Sequence, residues 1–193
     1  MPGEETFVGR GISYCATCDA PFFRDRHVAV VGGGDTAVQE AIYLTGFAKK
    51  VTLIHRRDRL RAAAVLRDRA MANPGIEFVW NSVVEEIKGK DAVTSVVIRS
   101  VQAPAQRGEI PIDGVFMFIG FDPNTGFLRG TVDMDKDGYI LTDASMRTSA
   151  AGLFACGDCR STPLRQVVTA CGDGATAAVS AQHYVEDMKG NTY

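Results

Sequence analysis

The sequence predicts an α/β protein built around a parallel sheet, with a boundary near residue 120. Three observations predict it. Residues 27–31 form a short β-branched apolar run that breaks into Gly32, Gly33 and Gly34. Residues 35–47 place Ala37, Val38, Ala41, Ile42 and Leu44 at helical spacing. Residues 51–54 are a second apolar run. Strand, glycine turn, helix and strand in that order make a βαβ unit, which requires parallel strands and a right-handed crossover.

The remaining elements follow from the same patterning. Residues 60–72 read as a helix closed by Asn73-Pro74-Gly75. Residues 76–81, 83–88 and 92–101 read as strands, the last two joined across Gly89-Lys90-Asp91. Residues 102–107 are a polar loop, and 110–119 one more strand. The run Gly120-Phe121-Asp122-Pro123-Asn124 marks the boundary. Beyond it come a hairpin at Asp137-Gly138, a strand over 152–156 and a long helix over 166–188.

Composition excludes several classes. Of 193 residues, 46% are apolar and 23% charged, which is ordinary for a globular chain and unlike a disordered or fibrous one. The balance of 21 basic against 23 acidic residues lacks the basic excess of a nucleic-acid binder, so no nucleic-acid partner is expected. No run approaches the ~18 apolar residues of a membrane span. The first ten residues carry two glutamates and no apolar run, so a cytoplasmic setting is expected. Thiols there stay reduced unless they are redox-active or hold metal.

The glycine turn carries chemistry. Residues 32–37, Gly-Gly-Gly-Asp-Thr-Ala, fit G-x-G-x-x-A. Gly32 allows the tight turn, Gly34 lets a pyrophosphate approach the backbone, and Ala37 lets helix and strand pack closely. Asp35 and Thr36 open the helix, whose N-terminal N–H groups attract phosphate. An NAD site places Asp or Glu at the end of the second strand. This chain has His55-Arg56-Arg57 there, with Arg61 close behind. Guanidinium forks suit a 2′-phosphate, so NADPH is preferred over NADH. The competing reading is a solvated basic face, since Arg59, Arg67 and Arg69 continue the run.

Five cysteines form two C-x-x-C motifs and one single residue. Cys15 and Cys18 immediately precede the nucleotide unit and read as a redox pair, with Asp19 beside them as a proton donor and acceptor. Cys156 and Cys159 bracket Gly157-Asp158. Zinc held by both pairs is the alternative, but the pairs lie 138 residues apart, against ~15–20 in a ribbon site. No metal is therefore expected. Cys171 reads as a small packed residue on the last helix. Asp133, Asp135, Asp137 and Gly138 start like an EF-hand loop, yet position twelve is Ala144 rather than Glu.

Cys-Ala-Thr-Cys-Asp (15–19), Gly-Gly-Gly-Asp-Thr-Ala (32–37) and His-Arg-Arg-x-x-x-Arg (55–61) together closely resemble bacterial-type thioredoxin reductase. So do Gly-Phe-Asp-Pro-Asn-Thr (120–125), Gly-Leu-Phe-Ala-Cys-Gly-Asp (152–158) and Arg165-Gln166. The resemblance implies a Rossmann-like NADPH-binding domain over 1–119 and the C-terminal segment of a split FAD-binding domain over 120–193. It implies electron flow from NADPH through FAD to Cys15–Cys18 and on to thioredoxin, usually in a homodimer. Cys18 matches the flavin-facing thiol, Cys15 the thiol that attacks thioredoxin, and Asp19 the family's acid. Gly32, Gly34, Asp35, Thr36 and Ala37 match the NADPH turn, and His55, Arg56, Arg57 and Arg61 the adenosine-phosphate end. Gly157, Asp158, Arg165 and Gln166 match FAD contacts. Only 14 residues precede Cys15, too few for the ~30-residue FAD-binding βαβ unit with which the family begins. A flavin reductase serving another protein acceptor, such as a peroxidase, and a non-catalytic NADPH-binding fragment are the alternatives. The resemblance also implies domain rotation about hinges near 9–11 and 120–124.

Overall fold

The structure is a computed structural model, and it describes residues 1–190. The chain divides into two compact units, Met1–Gly120 and the residues from Phe121 onward.

In the first unit, Glu4–Phe7 (α1) and Ile12–Ser13 (β1) lead into Ala16–Asp19 (α2). His27–Gly32 (β2), Asp35–Leu44 (α3) and Lys50–Ile54 (β3) form the expected βαβ unit, with β2 and β3 parallel. Ala64–Met71 (α4) and Ile76–Val79 (β4) extend it. Ser82–Gly89 (β5), Val93–Ser100 (β6) and Arg107–Pro111 (β7) form an antiparallel three-stranded sheet, and Gly114–Phe118 (β8) returns to the parallel one.

The parallel sheet runs β1-β8-β2-β3-β4. Its strands alternate between two cores, as a period of two demands. Val28, Val30, Phe116 and Phe118 face the layer made by α3 and α4, while Ala29, Val31, Val115 and Met117 face the three-stranded sheet. Phe116, Leu53 and Val30 are fully buried, each worth about 1.5–3 kcal/mol of transfer free energy. Because β3 and β8 lie on opposite sides of β2, the chain changes direction beside the end of β2. Ligands bind at such switch points in open α/β sheets.

Three expectations for this unit need correction. The helix expected over 60–72 begins only at Ala64. The N–H of Arg61 donates to the Gly33 carbonyl (2.7 Å) and that of Ala63 to Asp35 Oδ1 (2.7 Å), so these amides are committed outside any helix. The helix expected to reach residue 47 ends at Leu44, where Thr45 Oγ1 donates to the Ile42 carbonyl (2.7 Å). The single strand expected over 110–119 is two. Val96–Ile110 pairing holds β7 in one sheet and Val28–Gly114 pairing holds β8 in the other. The break falls at Asp113, whose carboxylate accepts from the His27 N–H at 2.9 Å.

The second unit is mostly irregular. Val132, Ile140 and Ala155 form its small core, with Cys159 packed against them. The Asp137-Gly138 turn carries one antiparallel bridge, Met134 to Ile140. Asp135 shapes it by accepting from the N–H groups of Asp137 (2.9 Å) and Tyr139 (3.0 Å). The strand expected over 152–156 is reduced to a bridge between Phe154 and Arg147, because its partner segment turns away at Met146 (φ 64°). Val167–Met188 (α5) is the long helix, capped by Gln166 and Thr169 in a reciprocal box. Only Ala177 and Ser180 on α5 are buried. Cys171 is accordingly exposed, where its place on an apolar helix predicts a packed thiol.

Candidate functional site

The glycine turn sits at the end of β2, and each glycine there has a different reason. Gly32 has φ 150°, and a Cβ on it would lie 2.7 Å from that of Ala37. Ala37 is itself buried, so the pair sets the close approach of α3 to β2. Gly33 is covered by the His55 ring, which occupies the space a Cβ would need. Gly34 faces open space, its nearest neighbour being Arg61 Nη2 at 4.0 Å. Gly34 also caps α3 without a side chain, which leaves the first-turn N–H groups to an outside acceptor.

A cavity of about 340 Å³ opens at this turn. It brings together Gly32, Gly33, His55, Arg56 and Arg61, with Phe118 of β8 beside Gly32. Arg57 is exposed beside it and is not among the lining residues. Thr36 is exposed in the first turn of α3.

His55 behaves differently from the arginines it was grouped with. It is 4% exposed, and its Nε2 is buried without a hydrogen-bond partner. Burial lowers its pKa, and the nearby Arg61, Arg57 and Arg56 cations lower it further. The ring is therefore a neutral wall beneath Gly33, and the positive charge at the cavity comes from Arg56 and Arg61. Asp35 also has a second role. By accepting from the Ala63 N–H it ties the arginine loop to the start of α3, and Arg61 N–H to Gly33 makes the second tie. Sequence reasoning missed both the Gly33–His55 contact and this strap, since neither leaves a motif.

The cysteine pair lies on the same unit. Cys15 and Cys18 are joined by a disulfide, with Cα atoms 5.3 Å apart. Cys15 is half-buried and Cys18 exposed. The extended Cys15 caps α2, its sulfur accepting from the Cys18 N–H at 3.1 Å. Ser13 Oγ accepts from the Cys15 N–H (3.1 Å) and pins the entry to the turn. Asp19, half-buried, ends α2 and donates its own N–H to the Cys15 carbonyl (3.1 Å). Ala16 and Ala20, fully buried, seat the turn in the same core as Ala37 and Val38 of α3. One helix, α3, thus has the glycine turn at its N-terminus and the disulfide turn packed against it.

The remaining candidates lie in the second unit. Gly157 (φ 73°) donates its N–H to Asp173 Oδ2 at 3.2 Å, and Arg160 Nε lies 2.9 Å from the same oxygen. Asp158 is exposed on the 3₁₀ turn Gly157–Cys159. Arg165 stacks over the Tyr139 ring at 4.0 Å, and Gln166 caps α5. Asp173 as the clamp of this turn had no sequence signal. Among the described residues, no group of three or more His, Cys, Asp or Glu is gathered to hold a metal ion, and no helix is long and apolar enough to cross a membrane.

Comparison with known proteins bears on this arrangement. The pyridine nucleotide-disulphide oxidoreductase profile matches residues 1–174. The chain belongs to the pyridine nucleotide-disulphide oxidoreductase family. The chain is 51% identical over 190 residues to the thioredoxin reductase of Peptoclostridium acidaminophilum, covering 96% of itself and 60% of that protein. It is 46% identical to the Bacillus subtilis thioredoxin reductase, covering 98% of itself and 60% of that protein. The crystal structure of thioredoxin reductase from Streptococcus pyogenes MGAS5005 superposes with a TM-score of 0.89 at 52% identity, over 97% of this chain and 61% of that one. The chain therefore spans about three-fifths of the length of the relatives it matches.

Proposed function

We propose that this chain carries the NADPH-binding, dithiol-bearing domain and the C-terminal part of the FAD-binding domain of a thioredoxin reductase. In this reading NADPH is the electron source and oxidised thioredoxin the acceptor. The observation that carries it is the placement of a Cys15–Cys18 disulfide turn, α2, against the helix α3 that a phosphate-ready glycine turn opens, with arginines where an NAD site has a carboxylate.

The cavity fits a phosphorylated dinucleotide. Gly34 leaves room for a diphosphate against the first-turn N–H groups of α3. Arg56 and Arg61 line the pocket, their forks matched to the 2′-phosphate of NADPH. The buried, unpartnered Nε2 of His55 is a polar atom waiting for a partner at the same place. Asp35 and Gly33 hold the arginine loop in position before the nucleotide arrives.

For the flavin, the second unit offers an exposed carboxylate at Asp158 and the amide of Gln166, whose side chain also accepts from the Thr169 N–H. Those groups suit the hydroxyls and ring edge of FAD, whereas the Gly157 N–H is already engaged by Asp173. They form a supporting part of a flavin site, and the diphosphate of FAD finds no cradle among them. When bound, FAD supplies the two-electron relay between nicotinamide and disulfide.

At the dithiol, Cys18 takes the flavin side and Cys15 exchanges with thioredoxin. Asp19 moves the proton that the departing and arriving thiols require. Ser13 and the buried alanines keep the turn fixed while the sulfurs change partners.

The test is calorimetric titration of this chain with NADPH and NADH. NADPH binds at least ten-fold more tightly, and Arg61→Ala removes most of that preference; equal affinities would overturn the reading. In parallel, Cys18→Ser carrying a free Cys15 is mixed with thioredoxin activated as a mixed disulfide. A covalent adduct at Cys15 is expected, and its absence refutes the exchange role.

A further inference from the structure

The proposed electron path leaves one motif unused. Cys156 and Cys159 bracket the 3₁₀ turn Gly157–Cys159 in the second unit. The turn shares one feature with the first dithiol, an extended cysteine leading into a short helical turn. Cys15 is the extended residue before a short helical turn (φ −145°, ψ 102°), and Cys156 holds the same place before its own (φ −141°, ψ 158°). In the first pair that arrangement supports a closed disulfide. In the second both thiols are reduced, and Cys159 Sγ turns back to donate to the Cys156 carbonyl at 3.3 Å.

The backbone around the pair is held on both sides. Ala155 N–H donates to the Met146 carbonyl (3.1 Å), and the Cys159 carbonyl accepts from Ile140 N–H (3.0 Å). Asp173 clamps the middle through Gly157 N–H and Arg160. The segment that carries the two sulfurs is thus fixed by hydrogen bonds at both ends and in the middle. The two thiols also differ in setting. Cys156 is exposed, whereas Cys159 packs against the small core of Val132, Ile140 and Ala155.

We propose that Cys156 and Cys159 form a second redox-active dithiol, oxidised to an intramolecular disulfide by hydroperoxide. Cys156, the accessible sulfur, attacks hydrogen peroxide as its thiolate. An S–O bond forms, the O–O bond breaks, and the released hydroxide takes a proton to become water. The sulfur of Cys159 then attacks the sulfenic sulfur of Cys156 and gives up its thiol proton. The S–S bond forms, the S–O bond breaks, and a second water leaves. Two thiols have lost two electrons and two protons, and one peroxide has become two waters. Burial, reinforced by the neighbouring Cys156, pushes the Cys159 thiol up, which leaves the first attack on peroxide to Cys156. The product is a disulfide that staples both ends of the Gly157-Asp158 turn. The inference does not depend on whether that turn serves a flavin.

The test uses the whole chain, reduced, freed of reductant, treated with hydrogen peroxide, alkylated and digested with trypsin. Cleavage after Arg147 and Arg160 yields a peptide of residues 148–160 that holds Cys156 and Cys159 and no other cysteine. After peroxide this peptide is expected two hydrogens lighter and without alkyl groups, and dithiothreitol restores both labels. The peptide of residues 11–24, with Cys15 and Cys18, reports in the same digest that oxidation took place. In Cys159→Ser, Cys156 is expected to stop at sulfenic acid and to be captured by dimedone. The proposal is overturned if the 148–160 peptide keeps both labels while Cys15 and Cys18 oxidise. It is equally overturned if Cys156 runs on to sulfinic acid with Cys159 still alkylated, or links to the peptide bearing Cys171.

Discussion

Replacing Gly34 by alanine separates ligand binding from stability. Gly34 sits at φ −86° and ψ −178°, a conformation open to any L-residue. A Cβ there meets nothing closer than Arg61 Nη2 at 4.0 Å, so the fold needs no adjustment. Alanine caps a helix less well than glycine by about 0.5–1 kcal/mol. It also lowers unfolded-state entropy, which returns about 0.4–1 kcal/mol. These contributions offset each other, leaving net stability within about 0.5 kcal/mol and the melting temperature within about 2 °C of the parent. The methyl group nevertheless stands where a diphosphate must approach the N–H groups of α3. A loss of one charge-assisted hydrogen bond, about 1.5–3 kcal/mol, weakens NADPH roughly ten- to hundred-fold. Thermal melts and calorimetric titration of the same preparation read both quantities. Unchanged NADPH affinity with a fully folded variant would refute the assignment of Gly34 as the phosphate approach.

Gly33→Ala adds the same methyl group with the opposite outcome. Its Cβ runs into the His55 ring, so overpacking costs about 1–3 kcal/mol in a denaturant titration. Asp35→Ala removes the acceptor for Ala63 N–H, which lowers stability by about 0.5–1.5 kcal/mol and weakens NADPH, as urea melts and the same titration will record. For His55 and His27, burial lowers both pKa values below 6.5. The unfolded chain then binds more protons than the folded one below that pH, so stability is full above pH 6.5 and falls as the solution is acidified. His55→Gln flattens the His55 share of that slope, and an unchanged slope between pH 7 and pH 5 contradicts the buried neutral imidazole.

The βαβ unit was legible because each part is a local rule. Alternating apolar residues in 27–31, three glycines and a helical stripe each act within a few residues of chain, so patterning alone locates them. The arginine loop was legible only in composition. Reading 60–72 as one helix followed its apolar spacing, yet Arg61 and Ala63 give their amides to Gly33 and Asp35, partners about 28 residues away. Likewise Ile110 and Phe116 read as one strand, because nothing local says that the chain changes sheets at Asp113.

The sequence by itself determined which reactive groups are present: a thiol pair, a glycine turn and guanidinium groups in place of a carboxylate are residue identities. Only the tertiary structure decided how those residues divide the work. His55 stands among arginines in the chain but is buried beneath Gly33, where desolvation keeps it neutral. Cys171 lies on an apolar helix but reaches the surface, while Cys159 meets a small core assembled from Val132, Ile140 and Ala155. Burial is a property of what the rest of the chain brings to a residue, and no spacing along the chain encodes it.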